Sequence, residues 1–448
     1  MDHSSRPVGA VVLALAMLAG LSGCGSAPKS EPAAGMVPEQ DVNDAYVYLL
    51  GRLLVLRQEQ LDFQKDGFQW NQILHRDVGG VSWANPNLDV AYSEAWIAVD
   101  EKTCAVVNVP RIKGRYYTVQ FLNGWGETVA NINERNYPDH PSGNFAMCLK
   151  GATAPLPPDA KRIDLPGKAT RMLARVELGA DKKQAIALQR RITIRMTGTP
   201  QIAPIPATPA FSNDTLPGVE AFDSAAIALD SEPDINPGMG DVRAKVRAVS
   251  AAVAGNPAER ARVDKVIREK TLPEFLKSFS TAGTIRNGWN RPSTIGKYGD
   301  DYRTRTRIDM AGIWANSTDE VVYFKTDTDG TGERLDGGNA YTITFAKADL
   351  PAGHVKYFWS VIAVDSSDFR VIPNPRNRFL INKQSRLSYG KDGSLTLYFA
   401  PSRPDGAPDG NWLPTPRGQG YNLTFRLYGP DQAVLSGEWF PAPLVRQN

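Results

Sequence analysis

The sequence predicts a mainly β fold with helical segments (α+β): two antiparallel β-sandwich or barrel-like domains joined by a helical bridge. Three observations point there. Short runs in both halves of the chain alternate apolar and polar residues, a central stretch carries helical spacing, and proline-dense segments separate them. About 410 residues beyond the leader and tether exceed one usual hydrophobic core, which favours two domains.

The amino end reads as a leader. Arg6 precedes an apolar run over residues 8–21, too short for the roughly 20 residues of a membrane span and suited to a signal-peptide core. Leu21-Ser22-Gly23-Cys24 resembles the lipobox of bacterial lipoproteins, whose cysteine receives diacylglycerol. The resemblance implies a signal peptide over residues 1–23, lipidation of Cys24 and a membrane partner reached through that lipid. Residues 24–38, rich in Pro, Ala, Gly and Ser, bury too little apolar surface to fold and read as a tether. Gly25 and Ser26 lack the aspartate that resembles an inner-membrane retention signal, which favours the outer membrane, facing the periplasm.

Residues 39–217 read as an N-terminal helix followed by the first β domain. Val42, Ala45, Tyr46, Leu49, Leu50, Leu53 and Leu54 set one apolar stripe on a helix over residues 40–64. Residues 104–109, 116–121 and 169–178 carry strand signals, residues 182–191 are helix-prone, and the proline-dense residues 199–217 form a connector. Export places Cys104 and Cys148 in an oxidising compartment, where they either form a disulfide or remain two buried thiols.

Residues 218–300 shift to Ala, Arg, Glu and Lys at helical spacing and read as the bridge. Residues 301–448 return to strand and turn, as the C-terminal β domain. Residues 341–345 and 395–399 alternate, and Tyr421, Leu423, Phe425 and Leu427 share one face against Asn422, Thr424, Arg426 and Tyr428. Lys plus Arg number 51 against 48 acids with no basic run, which argues against a nucleic-acid partner.

Several motifs occur in a characteristic order in the second half: Tyr341-Thr342-Ile343-Thr344-Phe345, Phe358-Trp359-Ser360, Asn374-Pro375-Arg376-Asn377-Arg378, Asp392-Gly393-Ser394-Leu395 and Asn411-Trp412-Leu413-Pro414. They resemble the family called domain of unknown function 1214. Upstream, Asn87-Leu88-Asp89-Val90-Ala91-Tyr92, Val109-Pro110 and Gly114-Arg115-Tyr116-Tyr117 resemble its companion, domain of unknown function 1254. The resemblance implies two β domains joined by helices and carries no agreed reaction.

Chemistry is therefore weighed from residues. Asp89 offers a general base or metal ligand, with Asn87 and Tyr92 beside it as binding groups; alternatively, Asn87 and Asp89 bond a turn's backbone. Arg115, next to Tyr116, either clamps an anion or makes a structural salt bridge. Trp359 and Trp412 either stack on sugar rings and other flat ligands or fill the core. Arg378 and Arg426, with Asp392, either line one polar pocket or leave Asp392-Gly393 to a hairpin turn.

Other signatures fall away. Asp327-Thr328-Asp329-Gly330 resembles a calcium loop, but its glycine register puts Lys325 at the first ligand position. His75, His140 and His354 form no H-E-x-x-H pair, and no G-x-S-x-G elbow or phosphate loop appears, so no metal site or cofactor is indicated. The preferred reading is an envelope-anchored lipoprotein holding a polar small molecule or glycan between two β domains. A hydrolase using Asp89 with Arg115 or Arg378, and a structural or scaffolding lipoprotein, are the alternatives.

Overall fold

Alternation at a period of two builds the sheets, and the same alternation decides which side chains meet at their junction. The computed structural model describes residues 36–79, 86–366 and 369–447. The expected signal peptide, Cys24 and the expected tether before residue 36 lie outside the described residues. Val37–Asn448 forms one compact unit.

The first helix, α1 (Glu39–Lys65), lies within one residue of its expected ends. The first β domain is an open sandwich. One antiparallel sheet has the order β1 (Leu74–His75), β2 (Val90–Ala98), β8 (Ala169–Glu177), β4 (Tyr117–Leu122), β5 (Thr128–Ile132). The other has the order β7 (Lys161–Leu165), β6 (Gly143–Leu149), β3 (Cys104–Val109), β9 (Thr193–Met196), with β6 and β7 parallel. Ala91, Phe121 and Met172 from the first sheet meet Val107, Phe145 and Met147 from the second in one core. Cys104 and Cys148 stand opposite each other on β3 and β6 and are joined as a disulfide. The helix-prone segment after β8 becomes α2 (Lys182–Gln189), its N-cap Asp181 accepting from Gln184 N.

The connector over residues 199–217 holds no helix or strand. The bridge follows as α3 (Ala225–Asp230), α4 (Met239–Ala254), α5 (Pro257–Val266) and α6 (Leu272–Thr281). Its Phe222, Val246, Val249 and Val263 share a core with Tyr46, Leu49, Leu50 and Leu53 of α1, so the first helix is the axis of this helical layer.

The bridge ends earlier than residue 300. A hairpin of β10 (Thr284–Arg286) and β11 (Trp289–Arg291) already belongs to the second sandwich. Past residue 300, where strand and turn were expected, stands α7 (Tyr302–Gly312). Asp301 starts it by accepting from Thr304 N at 2.9 Å.

The second domain pairs a sheet of order β10, β11, β12 (Val321–Thr326), β18 (Tyr421–Pro430), β14 (Val355–Asp365), β15 (Leu380–Asn382) with a second sheet. That sheet runs β17 (Trp412–Pro414), β16 (Leu395–Ala400), β13 (Tyr341–Phe345), β19 (Val445–Arg446). Phe324, Trp359, Leu423 and Phe425 meet Ile343, Phe345 and Leu397 between them. Neither sandwich closes, so the barrel form of the expectation is set aside.

The strands β2, β8, β12 and β18 are covered on both faces. Ala91, Met172, Phe324 and Phe425 enter the sandwich cores. Tyr92, Arg175, Lys325 and Arg426, on the opposite faces, line a cavity between the two domains.

Candidate interdomain ligand cavity

The cavity measures about 330 Å³, within the roughly 300–1,000 Å³ of small-molecule sites. β2 and β8 give it Val90, Tyr92, Glu94, Leu173 and Arg175; β12 and β18 give Tyr323, Lys325, Thr424 and Arg426. The end of α7 and the turn after it close it with Ile308, Ile313 and Trp314. Register fixes the β12–β18 wall: Tyr323 stands opposite Arg426, and Lys325 opposite Thr424.

Arg175 is held rigidly. Its Nη1 donates to Gln120 Oε1 at 2.7 Å and its Nη2 to the Trp314 carbonyl at 3.0 Å, while Gln120 Nε2 reaches the Ala315 carbonyl at 2.9 Å. These bonds tie the segment after α7 to the first sandwich. Trp314 sits at φ 66°, a left-handed conformation costly for a bulky side chain. Its ring lies edge-on to Trp96 at 5.5 Å.

Lys325 differs from the arginines. Its exposed side chain lines the cavity, and among the described residues it has no hydrogen-bond or ion-pair partner. Burial pushes its ammonium below the ordinary lysine range, and the charge of Arg426 adds to the effect. The described lining holds four cations, Arg76, Arg175, Lys325 and Arg426, against two carboxylates, Asp77 and Glu94. Glu94 is already bonded by Arg76 and Arg171.

Of the residues singled out from sequence, Asn87, Tyr92 and Arg426 reach this cavity. Asn87 Nδ2 donates to the Tyr428 hydroxyl at 2.6 Å, and Arg426 Nη1 donates to the Pro86 carbonyl at 3.0 Å. Asp89 is outside the lining. Its backbone N donates to Asn87 Oδ1 at 3.0 Å, the turn alternative, and its Oδ1 accepts from Asn382 Nδ2 at 2.8 Å. Burial raises its carboxyl, and no hydrogen bond or ion pair among the described residues joins it to Arg115 or Arg378.

Arg115 is no clamp, because its guanidinium donates to the Glu177 and Leu178 carbonyls and to Gln184 Oε1. Tyr116 is fully buried at the junction, bonded to Glu320 and Asn316 and packed on Tyr428. Trp359 lies in the core of the second sandwich, stacked on Phe425 at 5.2 Å. Trp412 is buried as well, its Nε1 donating to the Ala400 carbonyl at 2.9 Å. Arg378 and Arg426 do not share a pocket: Arg378 pairs with Asp409 at 2.7 Å and borders a separate groove beside Arg376 and Phe379. Asp392 accepts from Ser394 N at 3.0 Å, which is the turn reading.

Sequence reasoning missed Lys325, Arg175, Tyr323 and Trp314. The alternation Val322-Tyr323-Phe324-Lys325 carried a signal, since it puts a lysine and a phenol on one face of a strand whose other face is core. Among the described residues no group of three or more His, Cys, Asp or Glu side chains could hold a metal ion.

Fold and cavity together define a β-rich protein of two open sandwiches and a helical layer, with a cation-rich chamber at the sandwich junction. The chain belongs to the family that pairs two domains of unknown function: residues 70–196 match the model described as Protein of unknown function (DUF1254), and residues 320–432 match Protein of unknown function (DUF1214). The fold is similar to that of the VPA0106 protein from Vibrio parahaemolyticus, with a TM-score of 0.68 at 19% identity over 92% of this chain and 100% of that one. An uncharacterized protein from Burkholderia cenocepacia aligns over 90% of this chain and 87% of its own, with a TM-score of 0.43 at 13% identity. No curated protein matches the chain.

Proposed function

We propose that the protein binds a small anionic molecule with an apolar portion in the chamber between its sandwiches. The observation behind this is Lys325, a cation that lines the cavity beside Arg426 and has no counter-ion among the described residues. With four cations against two carboxylates in its described lining, the chamber is complementary to a carboxylate or phosphate. Leu173, Ile308, Ile313 and Trp314 supply the apolar side. The strained backbone at Trp314 supports the reading, since such conformations gather at ligand sites.

We further propose that the body is tethered to the cell envelope through a lipid on Cys24, on the outer membrane and facing the periplasm. The leader and lipobox support it, and the Cys104–Cys148 disulfide suits an oxidising compartment. Radiolabelled palmitate should enter the protein in cells and fail to enter Cys24→Ala.

The binding reading is tested by a thermal-shift panel of carboxylated and phosphorylated metabolites, with each stabilising compound rechecked for turnover. A ligand at about 100 times its Kd should add about 2.7 kcal/mol of stability. A flat panel would remove the binding reading and leave the scaffold; a compound that is consumed would make the protein an enzyme.

A further inference from the structure

Resting on the reading that the chamber takes small anions, the geometry points to a narrower ligand class. We propose that Lys325 is an imine-forming amine and that the ligand is a small carbonyl compound bearing an anionic group, of the 2-oxo acid type.

A site built only to hold a carboxylate is best served by arginine, whose planar fork bonds both oxygens, and this chamber already has Arg175 and Arg426 on adjacent walls. Lysine adds what arginine lacks, a nitrogen that can lose its proton and attack carbon.

Lys325 projects from near the end of a strand paired on both sides, opposite Thr424 and Asn290, with Tyr323 two residues away on the same face. Lysines of this reactive kind are desolvated or set beside another cation, and Lys325 has Arg426 diagonally across the paired strands. Other charged groups of the chamber do not undo this: Glu94 is engaged by Arg76 and Arg171, and Asp77 is exposed to solvent.

The step balances without a further reagent. The free amine of Lys325 attacks the carbonyl carbon, a new C–N bond forms, and the carbonyl oxygen leaves as water. Counted from the ammonium, carbonyl plus ammonium gives iminium plus water, with no change in total charge and no oxidation or reduction. The anionic group of the ligand then lies among the arginines, and the iminium stands in the place of the ammonium charge.

Pyruvate is the probe, with cyanoborohydride to reduce any imine to a stable secondary amine. Intact mass and peptide mapping at neutral pH should find one adduct, on Lys325. Each unit by which its pKa is lowered makes the free amine about tenfold more abundant than on a surface lysine. Lys325→Arg, which keeps the charge, should lose the adduct while its melting shows that it folds. Labelling spread over surface lysines and unchanged in Lys325→Arg would overturn the proposal. The same samples without reductant separate the two readings. A pyruvate-induced thermal shift in the wild type with no adduct sinks the imine and leaves anion binding standing; neither shift nor adduct sinks both for this ligand class.

Discussion

Lys325 and Arg426 stand diagonally across paired strands, Lys325 opposite Thr424 and Arg426 opposite Tyr323, on one wall of the interdomain chamber. Two like charges set side by side destabilise the empty protein, and that unfavourable term is what a bound anion removes.

Lys325→Met should therefore melt no lower than the wild type, and preferably higher, while losing stabilisation by carboxylates and phosphates. Calorimetric or fluorescence melting of both proteins, with and without each anion, checks it. Loss of ligand stabilisation accompanied by a clear fall in the melting temperature of the empty protein would instead make Lys325 a structural residue.

Trp359→Ala should cost about 3–5 kcal/mol, because the indole fills the second sandwich core against Phe425. Below its melting point the variant should bind anions like the wild type, since Trp359 is absent from the chamber lining. Urea unfolding and ligand titration on the same variant measure the two effects separately.

Burial pushes Glu59 and Glu232, the carboxyls whose charges act on Arg52, up to about 7. Between the ordinary value of 4.5 and about 7 the folded chain binds more protons than the unfolded one. Their contribution to stability is thus complete below the ordinary value and is lost as pH rises through about 7, by about 1.4 kcal/mol per pH unit for each carboxyl. Urea unfolding at about pH 5 and about pH 8 should show the fall, and Glu59→Gln or Glu232→Gln should flatten it.

Reducing the Cys104–Cys148 disulfide, whose cysteines are 44 residues apart, should remove about 4 kcal/mol through restored freedom of the unfolded chain. Unfolding with and without dithiothreitol, compared with the Cys104→Ala/Cys148→Ala double variant, gives the figure.

The strands were legible because alternation is a local property: the segment expected over residues 104–109 is β3, and that over 341–345 is β13. α7 was not. Its Tyr302-Arg303-Thr304-Arg305-Thr306-Arg307 alternates charged and hydroxyl residues without a clear apolar stripe, and its place is set by tertiary partners such as Asp234, which Arg305 meets at 2.9 Å.

The site was half legible for a related reason. Alternation on β18 separates Arg426 from Phe425, but it cannot tell whether the polar face meets water or a second sheet. Here it meets the outer face of the first sandwich, which turns that polar face into a chamber wall. In the sequence Lys325 stands out only as a residue that spoils a calcium loop. Trp359 and Trp412 were weighed by type, which does not distinguish a core indole from a loop platform.

Crystals grown with 4-bromobenzoate, whose bromine reports its position by anomalous scattering, decide whether the chamber is an anion site built around Lys325. The strongest bromine peak is expected inside the chamber, near Leu173, Ile313 and Trp314, with the carboxylate bonded to Lys325 Nζ. An empty chamber beside occupied sites elsewhere on the surface would contradict it.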